Sequence, residues 1–169
     1  DVGTGADGDI TVSSNTDINA VSLISGRSCA DGGDAVNYNI TAFNTGGTEA
    51  TLNTTPNSGC LSAGDEVLII NLQGTTGAYG NVGNYETLEI LSLSGTTVTF
   101  KTPKINYYGN ALTDDTNLGT GTSNQRVMLQ RVPNYNDVTV NSGITFSPTA
   151  WNGVKGGVMF FRANGTVSV

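Results

Sequence analysis

The chain runs to 169 residues, a length for one domain or a domain carrying an insert, and only 12% of them are charged, about half the globular norm. The net charge is −7, histidine is absent, and the seven Lys and Arg are scattered singly. With no basic patch to release phosphate counterions, no nucleic-acid partner is expected, and the commonest general base and transition-metal ligand is missing.

Thr, Asn, Ser and Gly take the place of charge, the texture of secreted, β-rich surface proteins rather than of disorder. No apolar run reaches 18 residues, so no membrane insertion is expected. The chain opens on Asp1 rather than Met, which reads as a processed or trimmed N-terminus.

In chain order, residues 1–8 are irregular and Ile10 to Val12 form a short strand. Residues 18–24 carry enough alternation for a second strand, with a slip at Ala20 and Val21. Residues 35–43 alternate cleanly (Val36, Tyr38, Ile40, Ala42), and 45–59 are rich in turn residues. Residues 66–72 hold the near-continuous apolar run Val67, Leu68, Ile69, Ile70 of a central strand. Residues 85–93 and 97–101 form a hairpin about Ser94, Gly95 and Thr96. Residues 126–132 alternate again, and Pro133 closes them. Short strands follow at 138–140, 144–146, 157–163 and 166–169. No stretch holds a 3.6-residue period with caps, so the chain is predicted to be all-β.

One pattern organises these strands. Asp9, Ile10, Thr11, Val12, a polar residue and Ser14 return as Asp137, Val138, Thr139, Val140, Asn141 and Ser142, and Thr166, Val167, Ser168 and Val169 echo it. The spacing predicts rungs of a right-handed parallel β-helix from residues 1–26 and 136–169. Residues 27–135 would form an inserted small barrel or sandwich. Ile10, Val138 and Val167 should stack in one ladder. The last rung has no polar cap in the sequence, so an open edge is expected there. The two cysteines, Cys29 and Cys60, read as a disulfide closing that insert, worth ~3 kcal/mol, with two free buried thiols as the alternative.

The run Ala63-Gly64-Asp65-Glu66-Val67-Leu68-Ile69-Ile70-Asn71-Leu72-Gln73-Gly74 is followed by Asn84-Tyr85-Glu86, by residues 91–100, by Gln130-Arg131-Val132-Pro133-Asn134-Tyr135, and by Ala150-Trp151-Asn152-Gly153-Val154-Lys155-Gly156-Gly157-Val158. From Leu61 onward this series resembles a segment of large secreted bacterial surface proteins that precedes a Gly-rich parallel β-helix. The resemblance implies the fold and an extracellular, cell-surface address. It implies no reaction.

Candidate sites are sparse. Asp31 and Asp34 lead three acidic pairs (with Asp7 and Asp9, and Asp114 and Asp115) as calcium ligands, although calcium takes six to eight oxygens and no EF-hand loop surrounds them. The plain alternative is loop acids turning the chain. No cofactor other than calcium is expected. Glu86 with Glu89, or Asp65 with Glu66, is the nearest approach to a glycosidase pair, but neither spacing places two carboxyls over one cleft. With Lys101, Lys104 and Lys155 expected to face solvent, no base activates a Ser or Thr. No enzyme is expected. Tyr79, Tyr107 and Tyr108 sit in Gly/Asn-rich loops as candidate glycan-stacking platforms, with packing as the alternative. Trp151 is expected to pack. Asn39, Asn53 and Asn164 begin sequons for glycosylation. Two functions are expected in order: a secreted structural module that self-associates through open β-edges into fibres or a sheath, then an adhesin that binds surface polysaccharide through aromatic loops.

Overall fold

The computed structural model describes residues 2–169, leaving Asp1 outside, and its regular elements are thirteen strands. They are β1 (Ile10–Val12), β2 (Thr16–Asp17), β3 (Asn37–Phe43), β4 (Glu49–Leu52), β5 (Glu66–Gln73), β6 (Tyr85–Ser94), β7 (Thr97–Phe100), β8 (Arg126–Arg131), β9 (Asn134–Tyr135), β10 (Val138–Val140), β11 (Phe146–Ser147), β12 (Arg162–Ala163) and β13 (Val167–Ser168). The chain is all-β, with no helix among the described residues.

The six strands from β3 to β8 close into an antiparallel barrel in the order β3-β4-β7-β6-β5-β8. Alternation in each strand sends one set of side chains inward. Tyr38 lies opposite Leu129, Val67 opposite Leu88, Ile90 opposite Phe100 and Ala50 opposite Val98. Together they form one buried apolar core. β5 and β8 are buried on their outer faces too, through Leu68, Met128 and Gln130. The apolar run at 67–70 therefore marks a strand covered on both sides.

The cover is the segment after β11. Gly156 N–H reaches Met128 Sδ at 3.4 Å, and Gln130 Nε2 donates to the Val158 carbonyl at 3.4 Å. The sequence predicts a strand over 157–163, but only Arg162–Ala163 pairs. The apolar residues before it pack sideways instead of entering a ladder. Residues 18–24 are a similar case: the ladder lies earlier, at β2, while Ile18, Leu23 and Ile24 pack against the parallel strands. β4 lies where the sequence reads as turns; its alternation is only four residues long.

Outside the barrel the strands pair in parallel. β1, β10 and β13 form one ladder, with Ile10 opposite Val138 and Val138 opposite Val167, as the repeat predicts. β2 pairs with β11, and β9 with β12. The repeated aspartate does the same work twice. Asp9 Oδ1 accepts the N–H of Asp137 at 3.1 Å, and Asp137 Oδ1 accepts that of Thr166 at 2.6 Å. Asn15 and Asn19 likewise accept from Thr145 and Thr149, both at 2.9 Å. Each pass of the chain thus satisfies corner N–H groups of the next, which a bare turn would leave to water.

Barrel and ladders are joined by buried and half-buried charge. Arg131 of β8 binds Asp7 of the first pass at 2.7 Å and Asp65 at 2.8 Å. Glu66 of β5 receives Arg162 Nη2 at 2.6 Å and Asn134 Nδ2 at 3.0 Å. Burial pushes the Glu66 carboxyl up, but the Arg162 and Asn134 donors outweigh it, and the group titrates below its ordinary value of 4.5. A carboxylate depressed in this way stabilises the fold above its unfolded pKa and loses that contribution as pH falls through the folded one. Stability in denaturant titrations is therefore expected to fall below about pH 4.5, and Glu66→Gln should flatten the slope. An unchanged slope in the variant would mean the Glu66–Arg162 contact contributes nothing.

Candidate functional site: the open end of the parallel stack

The two ends of the β1-β10-β13 ladder differ. Ile10 on edge strand β1 is only 4% exposed, and Val138 in the middle strand 1%. Ile18, Leu23, Ile24 and Ala35 join the same cluster and cover the first pass. That cover is held by Asp34, whose carboxylate accepts from the Leu23 N–H at 3.0 Å, the Ile24 N–H at 3.3 Å and the Tyr135 hydroxyl at 2.9 Å. Burial pushes the Asp34 carboxyl up, against those three donors. At the other end Val167 is 48% exposed and Val169 98%. Beneath them lies an apolar recess of about 420 Å³ lined by Val140, Ile144, Phe146, Met159, Phe161 and Val167. Phe161 anchors its floor against Tyr135 and Phe146, with ring centroids at 5.7 and 6.0 Å.

The predicted calcium pair does not assemble. Asp34 is buried in the cover just described. Asp31 accepts from the Tyr38 hydroxyl at 2.7 Å and from Asn57 N–H and Nδ2 at 2.7 and 2.5 Å, which hold its carboxyl below the usual range. Both carboxylates spend their lone pairs on protein donors, and no group of three metal-binding side chains occurs among the described residues. Asp114 and Asp115 are loop acids as well. Asp114 accepts from the Ala111 and Thr116 N–H groups, and Asp115 pairs with Lys104 at 2.5 Å.

Of the glycan platforms, Tyr79 is exposed, as is Tyr107. Tyr108 is a correction. It is fully buried, its ring packs on Phe43 at 5.6 Å, and its hydroxyl donates to Glu86 at 2.8 Å. It closes one part of the barrel core, so no sugar reaches it. Trp151, expected to pack, is exposed. Lys104 is not solvent-facing either: its ammonium lies 4.9 to 5.7 Å from the rings of Phe43, Tyr107 and Tyr108. Lys155 is half-buried and donates to the Asn37 carbonyl at 2.6 Å. Lys101 is exposed and pairs with Glu89.

Asn39 is corrected as a glycosylation site. It is buried on β3, with Nδ2 donating to the Val154 carbonyl at 2.8 Å. Asn53 and Asn164 are exposed. Cys29 and Cys60 form the expected disulfide. No helix among the described residues is long and apolar enough to cross a membrane.

No family model matches this chain, and no curated protein matches it. Among solved structures it is similar to phage tailspikes. The tailspike gp61 of Pseudomonas phage phi297 is 21% identical, with 99% of this chain and 24% of that one covered and a TM-score of 0.36. The tailspike gp49 of Pseudomonas phage LKA1 is 18% identical over 85% of this chain and 26% of that one, at 0.37. Gp54 of Acinetobacter baumannii bacteriophage AP22, solved with a capsular saccharide, is 15% identical over 96% and 29%, at 0.36. The chain thus spans about a quarter of the length of these proteins.

Proposed function

We propose that this chain is a non-catalytic structural module of the cell exterior, in which the parallel ladders are rungs of a right-handed β-helix and the exposed edge of β13 is an assembly surface. One observation carries the reading: the position that is buried in Ile10 and Val138 is half exposed in Val167, over an apolar recess. The side chains of residues 163–169 include no charge and no Pro, the usual devices that keep another strand from pairing. Unpaired N–H and C=O groups beside apolar side chains accept another strand.

For the 169-residue chain the occupant we propose is a second copy, taking the place that a further pass would fill in a longer chain. The first pass is covered by Leu23 and Ile24, so a head-to-tail fibre would have no apolar face to grow on at that end. Two copies meeting β13 to β13 would bury both recesses in a closed two-fold pair. The reading as a non-enzyme is supported by the carboxylates. Glu66 is ion-paired and its pKa is depressed, the reverse of a general acid, and Glu89 is paired with Lys101.

Light scattering with negative-stain microscopy tests this. The expected result is twice the monomer mass, reduced to the monomer by Val167→Lys with the thermal transition retained. A monomer at every concentration would overturn the assembly role. Ordered fibres would overturn the closed pair and restore the head-to-tail alternative.

A further inference from the structure

We propose that the recess between the start of β3 and the 149–156 loop binds one neutral saccharide unit through the Asn37 side-chain amide and the Lys155 ammonium. This site is distinct from the assembly edge and from the aromatic loops. Its volume is about 380 Å³, at the low end for ligand pockets. It is walled by the first pass at Asn19, by Asp31 and Gly32 behind the disulfide, by Asn37, and by Asn152 and Lys155.

The pointer to a ligand is Asn37. Its neighbour Tyr38 belongs to the barrel core, so Asn37 faces outward beneath the 149–156 loop. It is only 7% exposed. Other outward amides of this wall are satisfied: Asn39 donates to Val154, and Gln130 donates to Val158 and accepts from Asn19. Among the described residues the Asn37 amide finds no hydrogen-bond partner. Those atoms are not sealed in, since the buried side-chain polar atoms without a partner among the described residues are Ser22 Oγ and Arg27 Nε, so the amide presents both a donor and an acceptor to whatever occupies the recess.

The neighbouring groups define what would enter. Lys155 Nζ spends one donor on the Asn37 carbonyl at 2.6 Å and has two more. Burial lowers its pKa, with the Asp31 charge acting against that. Asn152 Oδ1 accepts the N–H groups of Val154 and Lys155, both at 2.9 Å, which leaves its Nδ2 for the recess. The charged lining residues are Lys155 and Asp31, one of each sign. An anion would meet Asp31 and a cation would meet Lys155. Hydroxyl groups, which donate and accept at once, suit the mixture.

The test is a titration of the ¹⁵N-labelled chain with glucose, galactose, N-acetylglucosamine and glucuronate in turn, following the side-chain amides of Asn37 and Asn152. At least one neutral sugar is expected to shift both, with a Kd of about 1–10 mM. Asn37→Leu and Lys155→Met should each weaken binding about tenfold, the factor that about 1.4 kcal/mol gives. Should Asn37→Leu fail to fold, Lys155→Met and the exposed change Asn152→Ala carry the test. Three results would overturn the site: no shift with any sugar, a response to glucuronate alone, or binding that survives these changes and is lost in Tyr79→Ala.

Discussion

Arg131→Met is expected to cost about 3–5 kcal/mol of unfolding free energy, the penalty for breaking a buried ion pair from one side. The guanidinium is almost fully buried, and it binds Asp7 through two contacts at 2.7 and 3.0 Å, Asp65 at 2.8 Å and the Asp34 carbonyl at 3.2 Å. Burial alone would lower its pKa, but the hydrogen bonds and charges of Asp7 and Asp65 raise it instead. Removing it strands two shielded carboxylates. Arg27 is a weak substitute. It lies 3.9 Å from Asp65 and is itself depressed by burial and by the Arg131 charge. The penalty belongs to the stranded acids more than to the lost arginine. The triple change Arg131→Met, Asp7→Asn, Asp65→Asn should therefore recover most of it. Urea titrations of the single and triple variants decide the matter. A single-variant cost below about 1 kcal/mol would mean that the junction between barrel and ladders is solvated and weak.

The parts of this fold that were legible in the sequence are those in which one local pattern meets one local task. Asp9 and Asp137 look alike because each accepts an N–H from the next pass, and Ile10 and Val138 look alike because they share a register. The barrel strands β3, β6, β7 and β8 were legible for the same reason, since alternation follows from having one face inside. What failed depends on distant partners. Tyr107 and Tyr108 are adjacent in the same kind of loop, yet one is exposed and one buried. The difference is set by Glu86 and Phe43, remote in sequence. Asp31 and Asp34 read as a pair because Gly32 and Gly33 separate them, but one serves Asn57 and the other the cover of the first pass. The apolar stretches at 18–24 and 157–163 read as strands in the sequence because period cannot distinguish a ladder from an extended segment packed across one. Asn37 gave no signal. Its oddity is an absent partner, and a sequence does not record partners.

Loss of the Cys29–Cys60 bond is the second large effect expected, about 3–4 kcal/mol for a closed loop of this size in the chain-entropy account. The residues are 31 apart, with Cα atoms at 4.5 Å. The bond ties the segment entering β3 to the one entering β5, and the loop it closes contains β3 and β4. Cys60 is fully buried in the barrel core and Cys29 packs against it. The chains run close here: a Cβ on Gly59 would stand 2.2 Å from the Ser28 carbonyl oxygen, and Arg27 donates to the Cys60 carbonyl. The paired change to alanine should therefore lower the transition by about 10 °C, and reduction of the native chain should do the same. The location of the effect separates this prediction from the Arg131 one. Hydrogen exchange should rise first in β3, β4 and β5, the strands that the closed loop contains or adjoins. The Ile10–Val138 pairing should stay protected, since no residue of that ladder lies in the closed loop. Arg131→Met should instead expose both sides of the junction together. If reduction leaves the transition in place, the buried contacts of Cys60 already hold that corner, and the bond adds no constraint that the folded barrel lacks.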